Sequence, residues 1–127
     1  KLSKIKVYGN DYSTRDGTGV RDYVHIEDLA DAHLKALEKT LQGSGIYNIN
    51  IGTGMGYSVL DLIKSFEHAS KLKIPYEVYP RREGDVAEIY ADPSYANEIL
   101  KWKAKRGLAE MCKDAWNWQK NNPNGYE

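Results

Sequence analysis

Cysteine is almost missing: Cys112 is the single one among 127 residues. One thiol cannot close an internal disulfide, and a reducing, cytoplasmic setting fits such usage. An excess of either charge is missing too, since 18 Lys and Arg balance 18 Asp and Glu. That balance argues against general electrostatic binding to nucleic acid or to anionic membranes. The one basic run, residues 101–106, reads as a solvated loop between helices. No apolar run approaches the ~18 residues of a membrane span. The opening residues 1–6 lack the apolar centre of a signal peptide. The first residue is Lys1 rather than methionine, which points to a piece of a longer or processed protein. Repeats and low-complexity tracts are absent. His25, His33 and His68 never pair with another His or Cys at metal spacing, so they read as structural and no metal site is expected. There is no Gly-x-Ser-x-Gly nucleophile motif.

What is present is organised around residues 16–37. A glycine-rich turn (Gly17, Gly19) delivers Arg21, flanked by Asp22 and Tyr23. Ile26, Leu29, Ala30, Leu34 and Leu37 then fall on one helical stripe, which predicts an amphipathic helix over 26–40. Glu27 and Asp28 lie in its first turn, where the helix dipole favours negative charge. The helix fixes the turn before it, and Arg21 is the first residue expected to touch a ligand.

Elsewhere, strands and helices alternate, so the class is α/β in one domain, 1–127. Residues 4–8 read as a strand and 10–18 as a polar loop. Residues 46–51 (Ile-Tyr-Asn-Ile-Asn-Ile) read as a second strand. The glycine-rich 52–56 follows, and then a helix capped by Ser58, with Val59, Leu62, Ile63 and Phe66 on one stripe. A third strand is expected over 76–79, a charged turn over 80–85 and a short strand over 86–90. Asp92-Pro93 starts a helix with proline in its first position, burying Ala96, Ile99 and Leu100. A last helix is expected over 108–120, with Leu108, Met111, Cys112, Ala115 and Trp116 on one stripe and Asn122-Pro123 stopping it.

Two constellations could carry chemistry. Gly52-Thr-Gly-Met-Gly56 between strand and helix has the outline of a dinucleotide phosphate turn, but Tyr57 stands where the third glycine of G-x-G-x-x-G belongs. A tight strand-to-helix connection fits better, with the helix-start amides still free to face a ligand. Arg81-Arg-Glu-Gly-Asp85 places two guanidinium groups beside a turn glycine, as a phosphate clamp would. Its carboxylate could accept from ribose hydroxyls. A surface turn with a local ion pair explains the same residues.

Taken in order, Tyr8-Gly-Asn-Asp-Tyr12, residues 16–25, Asp28-Leu-Ala30, Arg81-Arg-Glu-Gly-Asp85 and Trp116-x-Trp-Gln with Asn122-Pro-x-Gly125 are more specific. Together they resemble the C-terminal portion of the UDP-glucose (UDP-galactose) 4-epimerase family, which are extended short-chain dehydrogenases/reductases. The resemblance covers essentially the whole chain. It implies a substrate-binding portion that includes a helix and a strand of the Rossmann layer. It also implies NAD on an N-terminal Rossmann half, a UDP-sugar held between the halves, and inversion at C4 through a 4-keto sugar. A homodimer is implied for the complete enzyme.

The resemblance also assigns residues. Lys6, Val7 and Tyr8 border the uracil through backbone groups, and Val59 lines the base pocket. Arg21 and Arg82 hold the pyrophosphate, Asp85 takes the ribose hydroxyls, and Tyr23 lies close by. Ile89 stands where some members carry tyrosine, so no polar contact is assigned to it. The family's catalytic Tyr-x-x-x-Lys is absent: none of the 10 tyrosines has lysine four residues on. The implied expectation is an inactive piece of an NAD-dependent isomerase. Another UDP-sugar epimerase, acting on pentoses or uronic acids, stays open. So does a non-catalytic nucleotide-sugar-binding module.

Overall fold

The computed structural model describes residues 3–126. Its order is β1 (Ile5–Tyr8), β2 (Val20–Arg21), α1 (Ile26–Thr40), β3 (Tyr57–Ser58), α2 (Val59–Ser70), β4 (Tyr76–Tyr79), β5 (Glu88–Ile89), α3 (Ser94–Leu100) and α4 (Leu108–Asn121). The expected α/β class holds, with two small sheets. β1 pairs in parallel with β4, Val7 opposite Val78. β2 is the centre of the other sheet, antiparallel to β3 and parallel to β5.

α1 and α2 are capped by the side chains that precede them. His25 Nδ1 accepts from Glu27 N at the start of α1, so the ring's hydrogen sits on Nε2, which donates to Asp114 3.2 Å away on α4. Ser58 Oγ accepts from Asp61 N at 3.0 Å, and Asp61 answers Ser58 N at 3.1 Å, closing a capping box on α2. α2 packs along α4, with Phe66 edge-on to Trp116 and Cys112 buried. The other core joins Ala32, Ala96, Leu100 and Trp102, flanked by Val24, Ile49 and Ile51.

Four expectations need correction. Residues 46–51 form no strand, because among the described residues no strand lies beside them to complete a ladder. The stripe on α1 is largely outside: Ile26, Leu34 and Leu37 are exposed, and the buried face carries Asp28 and Ala32 instead. Pro93 is the cap of α3 rather than its first helical residue. The basic run is not simply solvated. Trp102 is buried and donates from Nε1 to Asp28 O, while the amides of Lys105 and Arg106 both donate to Asp28 Oδ2 at 2.9 Å. Arg106 adds 2.6 Å and 2.5 Å ion pairs to Asp28 and Glu27. Burial pushes the Asp28 carboxyl up, but these donors outweigh it and hold the group below its usual range. The loop is thus stapled to the first turn of α1.

Candidate functional site

Two elements brought together by the small sheets carry the expected binding residues. Arg21 ends β2, and the 82–85 turn leads into β5, which lies beside β2 with Arg21 opposite Ile89. Asp85 N donates to Arg82 O, and Gly84 supplies the φ of +81° that a side chain would resist. The turn therefore swings Asp85 back toward Arg21. Arg21 Nη2 lies 3.6 Å from Asp85 Oδ1, and Arg82 Nε donates to Asp85 Oδ2 at 2.8 Å. A second nitrogen of Arg21, Nη1, donates to Val20 O at 2.7 Å.

Tyr8 joins this group from β1, with the Arg82 guanidinium 4.9 Å from its ring centre. Two cations share one carboxylate here, which leaves positive charge to spare for an anion. Arg82 is 62% exposed and Arg21 29%, so Arg82 is the more open of the two to a ligand. The bond to Asp85 raises the Arg82 pKa further.

Arg81 is engaged elsewhere. It donates from Nε to Asp11 Oδ1 at 2.8 Å, also bonds Asp11 O, and stacks 4.1 Å from the Tyr12 ring centre.

The β1 edge supplies a different kind of group. Ile5 N donates to Pro75 O and Gly9 N to Tyr79 O, so odd-numbered residues face β4. In a parallel ladder the intervening residues then turn their N–H and C=O to the opposite edge. Lys6 and Tyr8 are those residues, and β4 is the only strand paired with β1 among the described residues. The Val7 side chain is buried in the core, so Val7 itself offers a ligand nothing beyond its place in the strand. Lys6 Nζ lies 5.0 Å over the Tyr79 ring.

Tyr23 is half-buried. Burial raises its phenol pKa while the Arg21 charge pulls the other way, and the net shift is upward. A neutral phenol is a hydrogen-bonding group, not a base. Val59 opens α2 and donates from N to Gly19 O at 3.2 Å, two residues before Arg21. The structure thus unites Tyr8, Arg21, Arg82 and Asp85. Tyr23 and Val59 stand at its margin.

Two amides of the glycine loop are turned inward, onto Asp22. Thr53 N and Gly54 N donate to the two oxygens of Asp22 at 3.0 and 2.9 Å. Those amides are spent, so the described residues do not fit a dinucleotide phosphate. Sequence reasoning missed Asp22 and the Asp28–Arg106 pair. A lone Asp carries no spacing signal, and Asp28 and Arg106 are far apart in the chain. Among the described residues no group of three or more His, Cys, Asp and Glu could hold a metal ion, and no helix is long and apolar enough to cross a membrane.

Two arginines on one carboxylate thus lie next to an open strand edge inside an α/β fold. The chain belongs to the GDP-mannose 4,6 dehydratase family, whose sequence profile matches residues 1–115. Within that class it is similar to UDP-glucose 4-epimerases. It is 55% identical over 127 residues to that of Bacillus subtilis (strain 168), covering 100% of this chain and 38% of the relative. It is 56% identical over 122 residues to that of Homo sapiens, covering 96% of this chain and 35% of the relative. The crystal structure of UDP-glucose 4-epimerase from Bifidobacterium longum in complex with NAD+ and UDP superposes with a TM-score of 0.93 at 48% identity. That superposition covers 98% of this chain and 37% of the other. The chain spans a little over a third of the length of these relatives, matching their C-terminal portion.

Proposed function

We propose that residues 1–127 are the nucleotide-sugar-binding portion of an NAD-dependent UDP-glucose/UDP-galactose 4-epimerase. The observation that carries this reading is the Arg21–Asp85–Arg82 cluster beside the open backbone edge of Lys6 and Tyr8. Each part of a UDP-sugar then has a counterpart. A pyrophosphate suits two guanidinium groups better than lysines, because each fork can give paired N–H donors to phosphate oxygens. Asp85 is an acceptor-only group and suits ribose hydroxyls, which it takes as the two arginines move to the phosphates. Uracil offers an alternating donor and acceptor edge, which the exposed N–H and C=O groups of Lys6 and Tyr8 can match. Val59 lines the base, and Tyr23 stays protonated near the phosphates.

The same reading puts NAD on an N-terminal half outside these residues. The Tyr-x-x-x-Lys base belongs there too, since no tyrosine here is followed by lysine at that spacing. A homodimer, a cytoplasmic setting and a place in galactose metabolism go with the complete enzyme. The experiment is UDP-galactose turnover. The 127-residue chain with added NAD should convert nothing above a blank, and the complete polypeptide should form UDP-glucose. Turnover by the lone chain, or none by the complete polypeptide, contradicts the reading.

A further inference from the structure

We infer that Asp22 is a positioning residue for UDP-sugar binding: it clamps one end of the three-stranded sheet and so fixes Arg21 against Asp85. This rests on the function proposed above. Asp22 lies one residue beyond the end of β2, between Arg21 and Tyr23, and its carboxylate accepts from three separate donor residues. Oδ1 takes Thr53 N at 3.0 Å and Thr53 Oγ1 at 2.5 Å. Oδ2 takes Gly54 N at 2.9 Å and Ala91 N at 3.3 Å. Thr53 and Gly54 precede β3, and Ala91 follows β5. Because β3 is antiparallel to β2 and β5 parallel to it, all three strands are gripped at the same end. That is the end where Arg21 sits.

The sheet needs such a grip. Each of its strands is only two residues long, so the ladder bonds alone give little hold on register. A one-residue slip would turn the Arg21 side chain to the other face of the sheet. The 3.6 Å spacing of Arg21 and Asp85 depends on that register, because Asp85 enters the site three residues before β5.

The clamp also gives the glycine loop a purpose. A Cβ at Gly52 would lie 2.5 Å from Asp22 Oδ2 and 2.6 Å from Ala91 Cβ, so only glycine lets the loop close on the carboxylate. The loop that outlines a phosphate turn binds an internal anion instead. The nest of amides built for a negative group is filled by Asp22.

The test is steady-state kinetics and UDP titration on the complete polypeptide carrying Asp22→Asn. The amide nitrogen keeps the volume but turns a donor toward donors. Lost positioning should raise KM for the UDP-sugar and weaken UDP about tenfold, with kcat within about threefold of the unsubstituted protein. General structural damage would instead reduce the active fraction and lower kcat at unchanged KM. Combined with Arg21→Ala, Asp22→Asn should add less than about twofold to the loss from Arg21→Ala alone, because it acts through that residue. If Asp22→Asn fails to fold, Thr53→Val leaves the carboxylate and its amide donors in place, removes the hydroxyl that donates to Asp22 and accepts from Met55 N, and should still weaken UDP about threefold. UDP affinity unchanged in a folded variant, or fully additive losses in the double variant, would overturn the inference. Failure of the unsubstituted protein to bind UDP would instead contradict the function proposed above.

Discussion

Arg81 and Arg82 are adjacent and chemically identical, yet they hold different things. Arg81 ties the 9–12 loop down through Asp11 and the Tyr12 ring, whereas Arg82 bonds only the Asp85 carboxylate and stacks on Tyr8. Arg82→Ala in the complete polypeptide should therefore weaken UDP by about 1.5–3 kcal/mol, the range for a hydrogen bond to a charged group. Arg81→Ala should cost clearly less, and calorimetric titration with UDP checks both. A second residue-scale outcome concerns Asp28, whose folded pKa is lowered by its donors from Lys105 and Arg106. A lowered carboxyl stabilises the fold above the unfolded value of about 3.9 and loses that contribution as pH falls through the folded value. Asp28→Asn should therefore be destabilising at neutral pH and should flatten the acid limb of a melting-temperature profile. A hydrogen bond to a charged group is worth about 1.5–3 kcal/mol, and Arg106, a third exposed, keeps its pair with Glu27. At this scale the resemblance carried by the motif blocks singled out Arg21, Arg82 and Asp85, and the structure brings the three side chains together. The role of Asp28 was not, because a carboxylate in a first helical turn looks the same whether it faces water or a distant loop.

At the scale of elements, the four helices were legible from apolar spacing and breaker residues, although the α1 stripe is largely exposed and Pro93 caps α3 rather than opening it. The two-residue strands β2 and β3 were not, since so short a segment has no period to read and exists only through its neighbours. Residues 46–51 are the converse case: strand-like in composition and unpaired among the described residues. Ile46 is 94% exposed, and it borders an open apolar groove of about 440 Å³ with Ala36, Tyr47 and Ile51. Ile26, Leu34 and Leu37 are further apolar side chains exposed along α1. Apolar surface is worth about 25 cal/mol per Å² when buried, against a total stability of about 5–15 kcal/mol. The lone chain should thus be marginal or should shield this face through chain–chain contacts. Thermal melting and sedimentation equilibrium over a concentration series will show a melting temperature that rises with concentration. A concentration-independent monomer melting above about 65 °C would count against it.

For the molecule as a whole, charge balance argued against general polyanion binding but could not indicate a ligand. The proposed ligand rests on where three distant segments meet: the β1 edge, the Arg21 turn and the 82–85 turn. Each is weak alone, since an exposed arginine turn is commonplace. Their convergence is a tertiary fact that periodicity does not encode. The central claim is therefore spatial, and a crystal structure of the complete polypeptide with UDP tests it most directly. The account predicts the pyrophosphate between Arg21 and Arg82, the ribose hydroxyls on Asp85, and uracil paired with the backbone of Lys6 and Tyr8. UDP bound away from Arg21 and Asp85, or in the groove between α1 and residues 46–51, would contradict it.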